Sequence, residues 1–386
     1  MTLHEPTWDD ARSAAFGAAT AAAPTAVPLA DARGLTLAEP LVARSMVPAF
    51  DTSMMDGWAV SGDGPWTVHG EVLAGSVGDA LLPGNAVGIA TGAPVPPGTT
   101  AVLRREWGSV NGDQLTATHA LSERVDIRIA GDEARVGDAL LPAGTIVTPP
   151  VVGLAALVGN DELVVRRRPS IAALILGDEL VTHGIPPHGK VRDALGVQIM
   201  SWARGFAAEQ RGVTYVEDTL DATVSALRAA TADIVFTTGG TARGPVDHIH
   251  AALAALDATL IVDEVRVRPG HPMLLAQLPS GQFVVGLPGN PLAAVAGFLT
   301  FAEPILTAMA GRTLPAVATT VTTEAIKAPA GERRLIPATR NGDSATPTEF
   351  WGSAMLRGIS TSDCFLVSEP GGANAGDVVG VLELPW

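Results

Sequence analysis

The run Asp233-Ile-Val-Phe-Thr-Thr-Gly-Gly-Thr-Ala-Arg-Gly-Pro-Val-Asp247 constrains the fold more than any other stretch. Its first half is short, apolar and β-branched, the pattern of a strand buried on both faces. It breaks at Gly239-Gly240, with Gly244-Pro245 close behind. A glycine pair at the carboxyl end of a buried strand lets the backbone take positive φ and pass close to a ligand. Its amides can also point at an anion. Asp247 follows where such a loop would hold a metal ion or a ribose-like hydroxyl. A tight strand-to-helix turn with a solvated aspartate fits the same residues, so the loop alone leaves both readings open.

The surrounding pattern narrows the choice. Residues 171–176 (Ile-Ala-Ala-Leu-Ile-Leu) predict a buried strand running into Gly177-Asp-Glu-Leu180. Helices are predicted over 196–210, 222–230 and 248–256, and strands over 213–216, 234–237 and 260–265. A last strand, 282–287, turns at Pro288-Gly-Asn-Pro291 into an apolar helix over 292–310. Strands alternating with helices predict a parallel sheet covered by helices, in an α/β fold. Ligands bind such sheets beyond the carboxyl ends of the strands. The turns at Gly177, Gly239 and Gly289 fall there, so they are expected to line one crevice.

The chain has 386 residues, more than one hydrophobic core serves, so several domains are expected. Its net charge is −15 and aromatic residues make up only 4%, which argues against a nucleic-acid partner. An anionic small ligand would need positive charge gathered locally. The single cysteine, Cys364, excludes internal disulfides and a cysteine-cluster metal site, and reads as a small buried apolar residue. The start of the chain is acidic and lacks the basic, leucine-rich look of a signal peptide, so a cytoplasmic location is expected. Residues 291–302 are too short to span a bilayer and read as a buried helix, and no membrane insertion is expected.

Before residue 169 the pattern differs. Residues 9–22 predict an alanine-rich helix, 27–37 an extended segment, and 151–158 a small helix. Asp56-Gly57 follows Ser53 in what reads as an ordinary exposed turn. Residues 70–128 show short alternating runs broken by glycine and proline, an all-β signal that encloses the proline-braced loop Thr91-Gly-Ala-Pro-Val-Pro-Pro-Gly98. Arg166-Arg-Arg-Pro169 reads as a solvated domain boundary. Residues 314–386 return to short β runs, the look of a small C-terminal β domain.

These motifs form a series. Ser53-x-Met-Asp-Gly57, Thr91-Gly-Ala-Pro94, Leu140-Leu-Pro-Ala-Gly144, Arg168-Pro169, Gly177-Asp-Glu-Leu180, Thr238-Gly-Gly240 with Asp247, Arg268-Pro-Gly270 and Gly286-Leu-Pro-Gly-Asn-Pro291 occur in that order. The set, spread over nearly the whole chain, resembles the molybdopterin molybdenumtransferase family, which includes bacterial MoeA and the E domain of gephyrin. The resemblance implies insertion of molybdate into adenylylated molybdopterin, with release of AMP and with a divalent cation such as Mg²⁺. It also implies an elongated homodimer whose active cleft lies between one subunit's α/β domain and its partner's small domain. The implied domains are a dimerisation domain (1–46 and 136–167), a mobile β domain (47–135), a three-layer α/β molybdopterin-binding domain (168–312) and a C-terminal β domain (313–386).

By resemblance, Asp56, Thr91 and Glu179 are the catalytic candidates, and Asp56, Asp178, Glu179 and Asp247 the metal-binding carboxylates. Asp178, Asp193, Gly239, Gly240, Asp247, Arg268, His271, Gly289, Asn290, Arg333 and Arg334 would bind the anionic substrates. Glycine amides would cradle oxyanions, and arginine forks would bind them.

Several positions depart from the family pattern. Glu264 and His271 stand where the family carries lysine, and Ala242 and Ala293 where it carries serine. Asp193-Ala-Leu195 replaces Asp-Ser-Asn, Ile175-Leu176 replaces a Ser/Thr pair, and Asp132-Glu133 inverts Glu-Asp. Each lost hydroxyl removes a donor worth about 1–3 kcal/mol to a charged partner. Arg192, Arg243 and Arg266 lie in the same segments, which leaves compensation open. The departures raise an alternative, a gephyrin-like scaffold that binds an apolar peptide of a membrane or cytoskeletal partner in the dimer groove. A further alternative is a molybdopterin carrier or sensor without insertion activity.

Overall fold

The computed structural model describes residues 2–241 and 248–384. The chain divides into two compact units: residues 1–25, 34–38 and 165–386 form one, and residues 26–33 and 39–164 the other.

The first unit is built on a seven-stranded sheet. Its elements are β1 (Leu3–His4), α1 (Trp8–Ala18), β2 (Ser170–Leu176), α2 (Leu195–Gly205), β3 (Glu209–Val216), α3 (Leu220–Ala229) and β4 (Ile234–Thr238). They continue with α4 (Ile249–Ala255), β5 (Thr259–Asp263), β6 (Leu274–Gln277), β7 (Phe283–Leu287) and α5 (Pro291–Gly297). A π turn, Phe298–Ala302, leads from α5 into α6 (Glu303–Met309). The strand order is β1-β5-β6-β7-β4-β2-β3. β6 runs antiparallel to both neighbours, and the other pairs are parallel.

Both faces of the central strands are apolar because both alternating sets of side chains are. Ile171, Ala173 and Ile175 join Trp8, Ile199, Trp202 and Phe298 on one face. Ala172, Leu174 and Leu176 join Leu227, Ile249 and Leu253 on the other. The result is three layers, with α1, α2, α5 and α6 on one side and α3 and α4 on the other. The run Pro291–Met309 is long and apolar enough to cross a membrane, but its apolar window is 94% buried within the fold, which makes it a core helix. At its π turn, Thr300 Oγ1 accepts a hydrogen bond from Trp8 Nε1 (2.9 Å), and the Leu299 carbonyl accepts from Arg12.

The same unit carries a six-stranded sheet at its C-terminal end. Arg333–Asn341 pairs with both Ser344–Pro347 and Cys364–Ser368, so five of the strands close into a small barrel, and Val267–Arg268 adds to Arg333–Asn341. Cys364 is buried in the barrel core, and burial together with the neighbouring Asp363 pushes its thiol up to about 12.

The second unit contains a six-stranded β sheet in the order Ala101–Arg104, Gly57–Val60, Asn85–Ile89, Trp66–Val72, Gln114–Ala117, Gly108–Asn111. It also contains a helix, Pro149–Leu157, which starts on two prolines as a first helical turn tolerates.

Several expected boundaries differ from the structure. The helix predicted over 196–210 ends at Gly205: Ala207 takes left-handed φ (53°), and the Ala208 N–H closes onto the Ala203 carbonyl (2.8 Å). That stop is made without glycine, so the alanine-rich sequence hides it. The helix predicted over 9–22 ends at Ala18, because the Ala22 N–H donates to the Met309 carbonyl (2.7 Å) instead of continuing the helix. In place of one extended segment over 27–37 there are a strand, Pro24–Pro28, and a 3₁₀ turn, Leu29–Asp31. The strand β6 was not anticipated, its short apolar run being ambiguous by periodicity. Arg167 is exposed just after the division between the two units, and its Nη1 and Nη2 also donate to Asp233 at 2.8 and 2.7 Å.

Candidate functional site

Register places the three glycine turns side by side. Ile175 pairs with Thr238, and Thr238 with Leu287, so β2, β4 and β7 end together. Their exits touch: a Cβ on Gly239 would lie 3.7 Å from the Leu176 carbonyl oxygen, and one on Gly289 would lie 3.8 Å from the Gly239 Cα. Gly239 and Gly240 have φ of 79° and 70°, which glycine adopts freely. The Gly239 N–H is spent on the Leu287 carbonyl (2.9 Å), so this residue contributes its conformation and not a free donor. At the start of α5, the Leu292 and Ala293 N–H groups donate to the Ser353 carbonyl (2.9 and 3.2 Å), which covers that end of the helix.

Carboxylates gather at the neighbouring strand end. Gly177 has φ 138°, and a Cβ there would come within 2.9 Å of Glu179 Oε2, so the glycine leaves room for that carboxylate. The Asp178 N–H points at Asp218 Oδ2 (3.4 Å). Burial, followed by the charges of Asp178 and Glu179, holds the Asp218 carboxyl above its ordinary range, against the pull of the Asp178 N–H and His248. Asp218 was not anticipated from sequence. Its signal is its position just after β3, because Val216 pairs with Leu176 and therefore sets Asp218 beside Asp178. Asp247 and Ala242 lie outside the described residues, as does Arg243.

Asp193 is placed differently from the expectation of a substrate ligand. It is buried, Oδ1 accepts from the Leu195 and Gly196 N–H groups (2.9 and 3.1 Å), and Oδ2 accepts from the Tyr215 hydroxyl (2.8 Å). Those bonds cap α2 and occupy both oxygens. Burial and the Asp193 charge push the Tyr215 hydroxyl up to about 12.

The expected oxyanion-binding cations are mostly committed to carboxylates. Arg268 donates from Nε and Nη2 to Glu332 (2.8 and 3.3 Å). Arg333 is held between Asp9 (2.7 Å) and Glu369 (3.0 Å). His271 faces Glu5, Glu264 and Glu332. Arg334 differs, since its Nε is buried without a partner and its guanidinium lies 5.1 Å from the Trp351 ring. Burial, with help from Arg268, pulls its pKa down. Of these four, Arg334 and His271 each keep a buried nitrogen, Nε and Nδ1, that completes no hydrogen bond.

Asp56 and Thr91 meet in the second unit. The Thr91 N–H (2.8 Å) and Oγ1 (3.1 Å) both donate to Asp56 Oδ1. The Thr91 N–H, then its hydroxyl, draw the Asp56 carboxyl below the usual range. Gly57 is required by close approach: a Cβ there would sit 2.0 Å from the Leu103 carbonyl oxygen. The Asp-Gly pair therefore marks a packed strand start bearing an exposed carboxylate, where the sequence suggested an ordinary turn.

Family comparisons agree with this architecture. Residues 7–159 match the MoeA N-terminal region (domain I and II), residues 172–308 a probable molybdopterin binding domain, and residues 319–384 the MoeA C-terminal region (domain IV). A molybdopterin molybdenumtransferase of Staphylococcus aureus is 30% identical over 369 residues, covering 90% of this chain and 88% of that protein. The chain belongs to the molybdopterin molybdenumtransferase family. The enzyme of the same name from Staphylococcus epidermidis is 27% identical over 377 residues, covering 92% of this chain and 90% of that protein. The molybdopterin biosynthesis MoeA protein of Pyrococcus horikoshii shares the fold, with a TM-score of 0.83 at 22% identity over 98% of this chain and 100% of that one. Within the molybdopterin molybdenumtransferase frame, the glycine turns, Asp178, Glu179 and Asp218 fall in the central match, and Asp56 and Thr91 in the N-terminal one. Arg333 and Arg334 fall in the C-terminal match.

Proposed function

We propose that this chain is a molybdopterin molybdenumtransferase of molybdenum cofactor biosynthesis, inserting molybdate into adenylylated molybdopterin and releasing AMP. The observation that carries the reading is the meeting of three glycine turns with Asp178, Glu179 and Asp218 at the carboxyl edge of the sheet. The bond broken is a pyrophosphate bond, so the protein's task is charge neutralisation and in-line positioning. The carboxylate set fits Mg²⁺: Gly177 leaves space beside Glu179, and a cation would offset the burial and the neighbouring charges that raise Asp218. Mg²⁺, when bound, would supply positive charge to phosphate oxygens while keeping several waters. Asp247 joins this set on sequence grounds. Asp56, with Oδ1 fixed by Thr91, is the catalytic carboxylate in this reading, and Arg334 offers an unspent donor to an oxyanion. The transferase name of the relatives supports the enzyme over the scaffold alternative.

The test is direct. Purified protein is supplied with adenylylated molybdopterin, molybdate and Mg²⁺, and AMP is followed by chromatography. Molybdate-dependent AMP release is expected, and it should disappear in Asp178→Asn and Asp56→Asn. Folded wild-type protein that binds the pterin but releases no AMP would support the carrier reading instead. We also propose a cytoplasmic homodimer with the four-domain division given above, on the strength of the family resemblance. Light scattering showing a monomer at working concentration would count against the dimer.

A further inference from the structure

Glu5 comes from the start of the chain and Glu264 and His271 from the connection between β5 and β6, and the three meet at one point in the first unit. A carboxylate oxygen from each glutamate and a ring nitrogen of His271 all lie within 4.8 Å of one another. His271 Nε2 is 3.6 Å from Glu5 Oε1 and 3.9 Å from Glu264 Oε2. A third carboxylate stands on the other side of the ring. Nδ1 is buried, completes no hydrogen bond, and sits 3.4 Å from Glu332 Oε1.

We propose that Glu5, Glu264 and His271 form a binding site for one divalent transition-metal ion, for which Zn²⁺ is the probe. The chemistry follows from the ring. With its proton on Nδ1, facing Glu332, the imidazole turns the Nε2 lone pair toward two carboxylates. A divalent cation between them would accept one lone pair from each of the three groups. Glu332 then plays the part of the carboxylate that orients a metal-binding histidine. Bonds of about 2.0–2.2 Å to zinc put tetrahedral ligand atoms about 3.3–3.6 Å apart, so the His271 nitrogen is within a few tenths of an ångström of that spacing from each glutamate, and the two glutamate oxygens, within 4.8 Å, close the rest through the exposed Glu5 side chain. One imidazole and two carboxylates suit a borderline ion such as Zn²⁺ or Mn²⁺, whereas Ca²⁺ takes six to eight oxygens. Water or an oxyanion would complete the shell.

The backbone positions of all three ligands are pinned. The Glu5 N–H donates to the Asp263 carbonyl, the Glu264 N–H to the Met273 carbonyl, and the Val265 N–H to the His271 carbonyl, each at 3.0 Å. Glu5 and Glu264 both adopt left-handed φ, 43° and 60°, in doing so. The side chain of Glu5 is the exposed member, free to swing inward.

Metal-free full-length protein is titrated with zinc chloride by calorimetry, with His271 ring nitrogens followed by ¹⁵N NMR on histidine-labelled protein. One zinc per chain that moves the His271 Nε2 resonance is expected. Glu332→Gln should weaken that zinc by about 10–100-fold, as loss of an outer-shell partner does, and Glu264→Gln should weaken it further. Zinc taken up equally by wild type and Glu264→Gln would overturn the proposal. So would a ring resonance that responds to pH but not to zinc, the mark of an imidazolium held by carboxylates. Zinc on Asp178, Glu179 or Asp218 leaves His271 unmoved, so the resonance separates the two sites. Should Glu264→Gln fail to fold by circular dichroism, Glu5→Gln at the exposed ligand serves in its place. None of these readouts depends on transferase activity.

Discussion

The backbone N–H of Asp178 points at Oδ2 of Asp218 across 3.4 Å, and that contact brings a third carboxylate to the Asp178-Glu179 pair. Asp218 is held above the ordinary carboxylate range by burial and by those two charges. A group with a raised folded pKa costs stability once the pH is high enough to ionise it. Asp218→Asn should therefore raise the melting temperature of the metal-free protein at neutral pH, while weakening Mg²⁺. Removing a carboxylate from such a set is expected to cost about 10–100-fold in affinity. Calorimetric Mg²⁺ titration and a thermal melt of the same variant check both halves, and a variant that is less stable and binds equally well would refute the assignment.

The Asp56–Thr91 contact predicts a graded effect. Thr91→Val removes the hydroxyl donor but keeps the stronger backbone one, so the Asp56 carboxyl should rise only part of the way to its free value. The acid limb of the pH profile for AMP release should shift upward in Thr91→Val. Asp56→Asn should lose on the order of 10²-fold or more in rate, as removal of a catalytic proton-transfer or charge-bearing group does. An unchanged acid limb in Thr91→Val would mean that Asp56 does not set the profile.

A structural carboxylate makes a pH prediction of the opposite sign from Asp218. Burial alone would raise Asp233, yet the Arg167 guanidinium and the Ser170 N–H and hydroxyl bring it down to about 2. Its folded pKa lies below the unfolded value of 3.8. Its contribution is thus complete above about pH 4 and lost as the pH falls toward about 2, an effect of about 2 kcal/mol. Urea melts at pH 5 and pH 2 should show that loss in wild type and a smaller one in Asp233→Asn.

How much of this was legible in the chain differs by residue. The β2 and β4 strands were readable because every position after Ser170 in them is apolar or β-branched, and Gly177 and Gly239 marked their exits. β3 carries Glu209, Gln210 and Arg211 at its start and no glycine at its end, so neither the full strand nor Asp218 announced itself. The pairing of the cations was hidden for another reason. Arg268 and Glu332 are 64 residues apart, and Arg333 takes Asp9 from the start of the chain. Local pattern shows which residues can carry charge, and only the closed fold shows which charges are already spent.

The non-glycine stop of α2 offers the last test. Ala207 holds φ at 53°, a conformation that costs an L-residue with a Cβ roughly 1–2 kcal/mol and glycine almost nothing. Its neighbours keep the helix end in place: the Phe206 N–H donates to Trp202 (3.1 Å) and the Ala208 N–H to Ala203 (2.8 Å). Those bonds do not use the Ala207 side chain, whose methyl would meet a Cβ on Gly34 at only 3.7 Å. Ala207→Gly relieves the strain in the folded state but loosens the unfolded chain, which offsets part of the gain by about 0.4–1 kcal/mol. A net stabilisation of about 0.5–1 kcal/mol is therefore expected, read as a higher urea midpoint at unchanged slope. A lower midpoint would show that α2 ends by some other constraint than the conformation of Ala207.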